Sequence, residues 1–296
     1  MEIHFLNNDA IDKKAWDECL LNSPGYELYM QASYLDAVFP AWKALVVGDY
    51  AAVFPIFEKK ILHWKLLRQP LFTGPCTITG QDQKAVKKLK DYIPGFLMSY
   101  HYIDVNLLND LPDLIPALKK NTRKYQQLKI PTDGFVLDNG LKRNFKKATQ
   151  AGIESICNLT TKEFIQYIEE HLLAQHKALN KKGVKLLTKI IDLKDSFNGE
   201  CVGIKNRDGE IQAGQFFLKG YNKIYIILSY STKEGRKNSA LHALQIKLIN
   251  QHLVPGGILH FGGSNIERIA EYNHNYGAND ILYWRITKKR FPFNYL

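Results

Sequence analysis

The run Phe261-Gly262-Gly263-Ser264-Asn265-Ile266-Glu267 ends an apolar stretch with two glycines and opens a helix with the Ser-x-x-Glu spacing of a capping box. Such a turn leaves the positive ends of helix amides beside an exposed connection, a suitable edge for a ligand. The same pattern also describes a tight strand-to-helix connection that needs glycine torsions. His260 borders the glycines, and Glu267 and His274 lie on the helix after them. These titratable groups are candidate proton acceptors. No G-x-S-x-G elbow occurs, and His242 and Asp280 bear no triad spacing to a serine, which argues against a hydrolase. Arg143, Lys146 and Lys147 share one helical face, in a stretch from Lys119 to Lys147 holding nine basic and two acidic residues. That face suits phosphate or an acidic substrate, and equally a solvated helix surface.

The elements that must hold these residues can be read from period and turn chemistry. In the first part, strands are expected at Ile3 to Leu6, Ala44 to Val47, Ala51 to Phe57 and Tyr102 to Leu107, and helices at Ala15 to Leu21, Ser33 to Val38 and Ala85 to Lys90. Gly48 and Asp49 read as a hairpin turn, and Pro55 marks an edge or a bulge. In the second part, a strand at Phe135 to Leu137 is followed by a basic helix, Leu141 to Ala151, stopped by Gly152, and a strand at Ile153 to Cys157. Thr160 and Glu163 form a capping box ahead of Ile165, Ile168, Leu172 and Leu179. An antiparallel meander follows at Cys201 to Lys205, Ile211 to Leu218 and Ile224 to Tyr230. Then come a helix Ala240 to His252, a strand Ile258 to Phe261, a helix Ile266 to Tyr276 stopped by Gly277, and a strand Ile281 to Ile286.

With 296 residues, ordinary globular proportions of apolar and charged residues, and 40 Lys and Arg against 29 Asp and Glu, the chain is a large folded protein of net charge +11. Anionic partners are favoured. Cys19, Cys76, Cys157 and Cys201 show no paired spacing, so no cysteine metal site is expected and a reducing compartment is. Met1 to Lys14 lacks the pattern of a secretory signal, and no apolar run reaches bilayer length. A cytoplasmic protein without a membrane span is expected.

A meander leading into helix, strand, helix and strand resembles the GNAT superfamily of N-acyltransferases. The likeness extends to bacterial tandem-GNAT proteins similar to the FemABX transferases through several strings. In the first half these are Tyr29-Met30-Gln31-Ala32-Ser33-Tyr34-Leu35-Asp36, the stretch from Trp42 to Pro55, and Gln69-Pro70-Leu71-Phe72; in the second, Arg143 to Ala148, Phe261 to Ile266 and Asn275-Tyr276-Gly277-Ala278. The resemblance implies an α/β (α+β) fold of two tandem GNAT-like domains, each a mixed, mostly antiparallel sheet flanked by helices. Residues 1–130 would be a degenerate first domain and residues 131–296 the acyltransferase domain.

It further implies transfer of an acyl or aminoacyl group, from acyl-coenzyme A as co-substrate or from aminoacyl-tRNA, to a small-molecule or peptide amine. Tyr225, Gly262, Gly263 and Ser264 would line the acceptor side. Ile227, Leu228, Ser229, Gly235, Arg236, Lys237 and Asn238 would meet the donor, and Tyr230, His260, Glu267 and Tyr272 would supply chemistry without a metal. Strict alternation puts Tyr225 and Tyr230 on opposite faces of their strand unless a bulge intervenes. Two positions depart from the family. Acetyl-coenzyme A enzymes carry Q/R-x-x-G-x-G/A after the meander, where this chain offers only Gly235. Many GNAT enzymes place a tyrosine four residues before the glycine held here by Gly277; Asn273 occupies that position and Tyr272 lies about 100° around the helix. A GNAT-fold binding protein without catalysis is the alternative.

Overall fold

The computed structural model describes residues 1–111, 115–173, 179–263 and 265–289. In chain order the elements are β1 (Ile3–Leu6), α1 (Lys13–Leu21), α2 (Ala32–Val38), β2 (Lys43–Val47), β3 (Ala52–Ile56), β4 (Glu58–Ile61), β5 (Trp64–Arg68), α3 (Gln83–Leu97), β6 (Tyr102–Leu107) and β7 (Lys119–Lys129). They continue with α4 (Asn139–Gln150), β8 (Ser155–Asn158), α5 (Thr161–His171), α6 (Lys181–Ile191), β9 (Glu200–Lys205), β10 (Ile211–Gly220), β11 (Lys223–Ser231), α7 (Lys233–Lys237), α8 (Ala240–His252), β12 (Ile258–Gly263), α9 (Glu267–His274) and β13 (Asn279–Lys289). Contacts divide the chain into two compact units, one of Met1–Lys124 with the residues from Leu282 on, the other Tyr125–Ile281. The sequence places a single boundary at 130. The C-terminal strand joins the first unit because Trp284 to Lys289 pair with Leu107 to Tyr102.

In the first unit, β1, β2 and β3 form an antiparallel sheet, and the hairpin β2–β3 turns through Gly48, whose φ is +54°. Pro55 lies on the edge strand of that sheet, where its missing N–H costs no ladder bond. β4 and β5 form a hairpin, β5 runs parallel to β6, and β6 pairs with β13. The core centres on Trp16 and Trp42, both fully buried with ring centroids 4.7 Å apart. The Asp12 carboxylate caps α1 by accepting from the Lys14 and Ala15 amides.

In the second unit, β8, β9, β10 and β11 pair antiparallel in turn, β11 runs parallel to β12, and β12 pairs antiparallel with β7. The expected capping box is present, with Thr160 and Glu163 exchanging side-chain and backbone bonds at the start of α5. Ala213 and Phe217 of β10 pack under Ala243, Leu244 and Leu248 of α8, with Ile224 and Ile226 of β11 beside them.

Several expectations are corrected. Phe135 to Leu137 form no strand; the strand preceding α4 is β7, whose first four residues are exposed and which buries only Tyr125, Gln126 and Leu128 near its end. Leu172 and Leu179 do not extend α5, which ends at His171, and a separate helix, α6, buries Val184, Leu187 and Ile191 at helical spacing. The Ser-x-x-Glu spacing does not coincide with the observed start of α9. Ile266 is the N-cap and makes no side-chain cap, Glu267 is the first helical residue, and Ser264 lies outside the described residues.

Candidate functional site

β11 and β12 leave the meander side by side but stay together only briefly. Lys223, Ile224 and Tyr225 pair with Ile258, Leu259 and His260, and no later residue of β11 pairs with β12. Beyond that point β11 keeps β10 on its far side only, so among the described residues its near edge from Ile226 on carries no strand. Ile227, Leu228 and Ser229 are half-exposed along that edge, and Phe261, Gly262 and Gly263 continue β12 past the gap left by the lost pairing. Gly262 takes φ +79°, where a side chain would be strained, and a Cβ on it would sit 3.3 Å from the Ile226 carbonyl oxygen. The gap opens at the C-terminal ends of two parallel strands, where open α/β sheets place ligands.

A bulge changes which side chains face where. Leu228 pairs with Phe216 while Ile226 pairs with Phe217, so Ile227 is the extra residue. Tyr225 and Tyr230 therefore share a face, and Ile226 and Ser229 share the other, toward α8. Tyr225 is fully buried and stacks on His260, which stacks in turn on Tyr125, with centroids 5.2 and 4.4 Å apart. Tyr230, on the same face, leans toward β10 and α5. Its ring lies over Gly214 of β10, where a Cβ would collide with it, and stacks on Tyr167 of α5 at 5.4 Å. Its hydroxyl is buried with no hydrogen-bond partner among the described residues, and burial pushes its pKa up.

His260, 2% exposed, is held neutral by burial and secondarily by the Lys223 charge, its pKa pushed down to about 3; its Nδ1 accepts from the Gly262 amide at 3.0 Å. Glu267 is exposed on the first turn of α9. Asn273 is 3% exposed and donates from Nδ2 to Gln126 Oε1 at 3.0 Å. His274 Nε2 meets Asp280 Oδ1 at 2.9 Å.

Tyr272 belongs to a chain of hydrogen bonds that sequence reasoning missed. Its hydroxyl lies 3.3 Å from the Leu241 carbonyl and 3.0 Å from the Tyr276 hydroxyl, which lies 2.8 Å from His242 Nδ1. A carbonyl can only accept, so Tyr272 donates to Leu241, Tyr276 donates to Tyr272, and His242 donates from Nδ1 to Tyr276. The polarity of the chain thus leaves the His242 lone pair on Nε2. Burial lowers the His242 pKa to about 4 and keeps the ring neutral, while burial raises both tyrosines. Tyr276 packs on Phe261, the first residue of β12 past the last β11 pair, at 5.7 Å. The signals in the sequence were the i, i+4 spacing of Tyr272 and Tyr276 and the place of His242 in the first turn of α8.

The donor candidates after β11 are largely spoken for. Thr232 caps α7, its Oγ1 accepting from the Gly235 amide at 2.9 Å, and Gly235 is buried against the Gln212 carbonyl. Arg236 Nη1 donates to the Ser231 carbonyl at 2.7 Å, and Asn238 Nδ2 donates to Glu234 Oε1 at 2.6 Å. Lys237 is exposed. Ser239, at φ +59°, separates α7 from α8 and leaves α8 without a side-chain cap; its Oγ lies 3.3 Å from Asn144 Oδ1 of α4. Lys142, Arg143, Lys146 and Lys147 are exposed on α4 around that contact. Among the described residues no group of three His, Cys, Asp or Glu is placed to hold a metal ion.

No protein-family model matches the sequence, and no curated protein does. Solved structures do. FemX superposes with a TM-score of 0.63 at 13% identity, over 96% of this chain and 97% of its own. A tandem GNAT protein from the clavulanic acid biosynthesis pathway gives 0.56 at 12%, over 97% and 98%. L-PGS from Bacillus licheniformis gives 0.56 at 14%, over 95% and 92%. The chain has a FemABX-like tandem GNAT fold. Within that fold the two departures acquire physical causes. At the position of the GNAT tyrosine, Asn273 is bonded into β7, and Gly235 serves packing between α7 and β10.

Proposed function

We propose that this chain transfers an acyl or aminoacyl group to an amine, in the gap where β11 and β12 part. The observation that carries the reading is that parting, just past Tyr225 and His260, with His242 of α8 bonded through Nδ1 to Tyr276, which packs on Phe261. The open edge of β11 offers backbone N–H and C=O groups to a donor lying along it. The acceptor nitrogen attacks the donor carbonyl carbon, the C–N bond forms, and the bond to the leaving sulfur or oxygen breaks. His242 Nε2 takes the proton the amine loses, and the leaving group takes up a proton as it departs. Tyr276 and Tyr272 hold the imidazole in the tautomer this requires.

As donor, aminoacyl-tRNA is favoured over acyl-coenzyme A by one observation. Gly235 is used for packing, while the exposed cations of α4 surround the contact between Asn144 and the uncapped start of α8. The acceptor is a small-molecule or peptide amine. Thermal unfolding with acetyl-coenzyme A, longer acyl-coenzyme A esters and bulk tRNA, each at low and high salt, tests the reading, because a ligand selective for the folded chain raises its unfolding temperature. A rise with tRNA that fades steeply with salt supports aminoacyl transfer. A rise with one coenzyme A ester supports acyl transfer instead. No rise with any of them overturns the donor assignment and leaves a GNAT fold that binds without catalysis.

A further inference from the structure

We propose that the β4–β5 hairpin docks the chain onto the surface of an anionic lipid bilayer. Ile61 pairs with Trp64 across a two-residue turn of Leu62 and His63. Leu62 is 88% exposed, and its φ is +53°, the left-handed region where such a turn prefers glycine. The turn therefore bears both the strain of a side chain there and the exposure of a leucine, a pairing that folding alone does not reward. Ile61 is 43% exposed beside it, and Trp64 packs with Leu66 and Tyr102 in a small cluster separate from the core. From Lys59 to Arg68 the segment reads KKILHWKLLR, four cations and no acid. Glu58, the nearest carboxylate in sequence, is engaged by Lys43 and Tyr100.

The occupant follows from shape and charge. The tip is convex, a leucine standing out from an edge hairpin, so it has no groove for a partner peptide. A bilayer interface admits an apolar tip of any shape, its lipid phosphates attract the flanking lysines, and tryptophan favours the headgroup level. The net charge of +11 acts in the same direction at longer range.

Co-sedimentation of the full chain with phosphatidylcholine vesicles, with and without phosphatidylglycerol, tests this. Binding is expected only with phosphatidylglycerol. Leu62→Gly removes the apolar tip while supplying the residue the turn favours, so it keeps or raises the unfolding temperature and weakens binding about tenfold. Lys59→Gln with Lys60→Gln weakens it about thirtyfold at low salt. The proposal is overturned if the wild type ignores anionic vesicles, binds neutral ones equally, or loses nothing on Leu62→Gly. It is overturned equally if concentration-dependent self-association of the chain takes the place of vesicle binding.

Discussion

Replacing Gly235 by alanine separates a packing glycine from a ligand-cradling one. In a phosphate-binding turn the glycine lies open so that the backbone can approach the ligand, and a methyl group there costs binding and little stability. Here Gly235 is buried, its amide already bonded to Thr232 Oγ1, and an added Cβ would fall inside the Gln212 carbonyl and 2.8 Å from Ser231 Oγ. The obstacle is backbone, so α7 must move away from β10. That movement also stretches the 3.0 Å bond from the Thr232 amide to the Gln212 carbonyl. Overpacking of this kind costs about 1–3 kcal/mol and the weakened hydrogen bond about 1 more. At about 2–4 °C per kcal/mol for a unit of this size, the unfolding temperature falls by roughly 4–16 °C. Differential scanning fluorimetry of wild type and Gly235→Ala reads this directly. An unchanged unfolding temperature, with donor binding lost, would refute the packing assignment and return Gly235 to the ligand.

The remaining predictions concern the residues around the gap. His242→Gln keeps a donor for Tyr276 but loses the Nε2 base, so kcat falls about 10²–10⁴-fold with little change in KM, measured with whichever donor stabilises the chain; equal turnover by both proteins would remove His242 from the chemistry. Tyr230→Phe deletes a buried hydroxyl that has no partner among the described residues, so stability is unchanged or rises by about 1 kcal/mol and activity is retained, whereas a dead Tyr230→Phe enzyme would make that hydroxyl catalytic. His260 and His242 are held neutral in the fold, with pKa values pushed down to about 3 and about 4, and the unfolded chain takes up their protons below about pH 6.5. Stability is therefore full above about pH 6.5 and declines as the pH falls toward 3, and His260→Phe, which keeps the ring stack, flattens the decline in a urea-unfolding series across pH.

How much of this was legible in the sequence depends on where burial leaves a period. The meander and α8 were readable because β9, β10 and β11 are mostly buried apolar runs between turns and α8 has two nearly full sides of apolar residues. β7 was not, because its exposed and half-buried first six residues include Lys119, Lys120, Arg123 and Lys124, which read as a basic segment with no alternation. Ser264 and Glu267 satisfy a capping-box spacing, yet spacing cannot say which residue starts the helix. The hydrogen bonds of His242 run to Tyr276, on the far side of β12 in sequence, and such tertiary pairings leave no local mark.

The bulge at Ile227 is the least legible feature and the one with the largest consequence. One inserted residue moves Tyr225 onto the face of Tyr230 and turns Ser229 toward α8. There Gln215 Nε2 donates to Ser229 Oγ at 2.8 Å and to Gln245 Oε1 at 2.9 Å, tying the open part of β11 to β10 and α8. Further along, the Arg236 guanidinium holds the Ser231 carbonyl, and Ser231 Oγ and the Thr232 amide both reach the Gln212 carbonyl. A strand paired on one side only is tied here to β10, α8 and α7. The open edge of β11 is thereby held extended, which would reduce the ordering cost of binding a ligand along it.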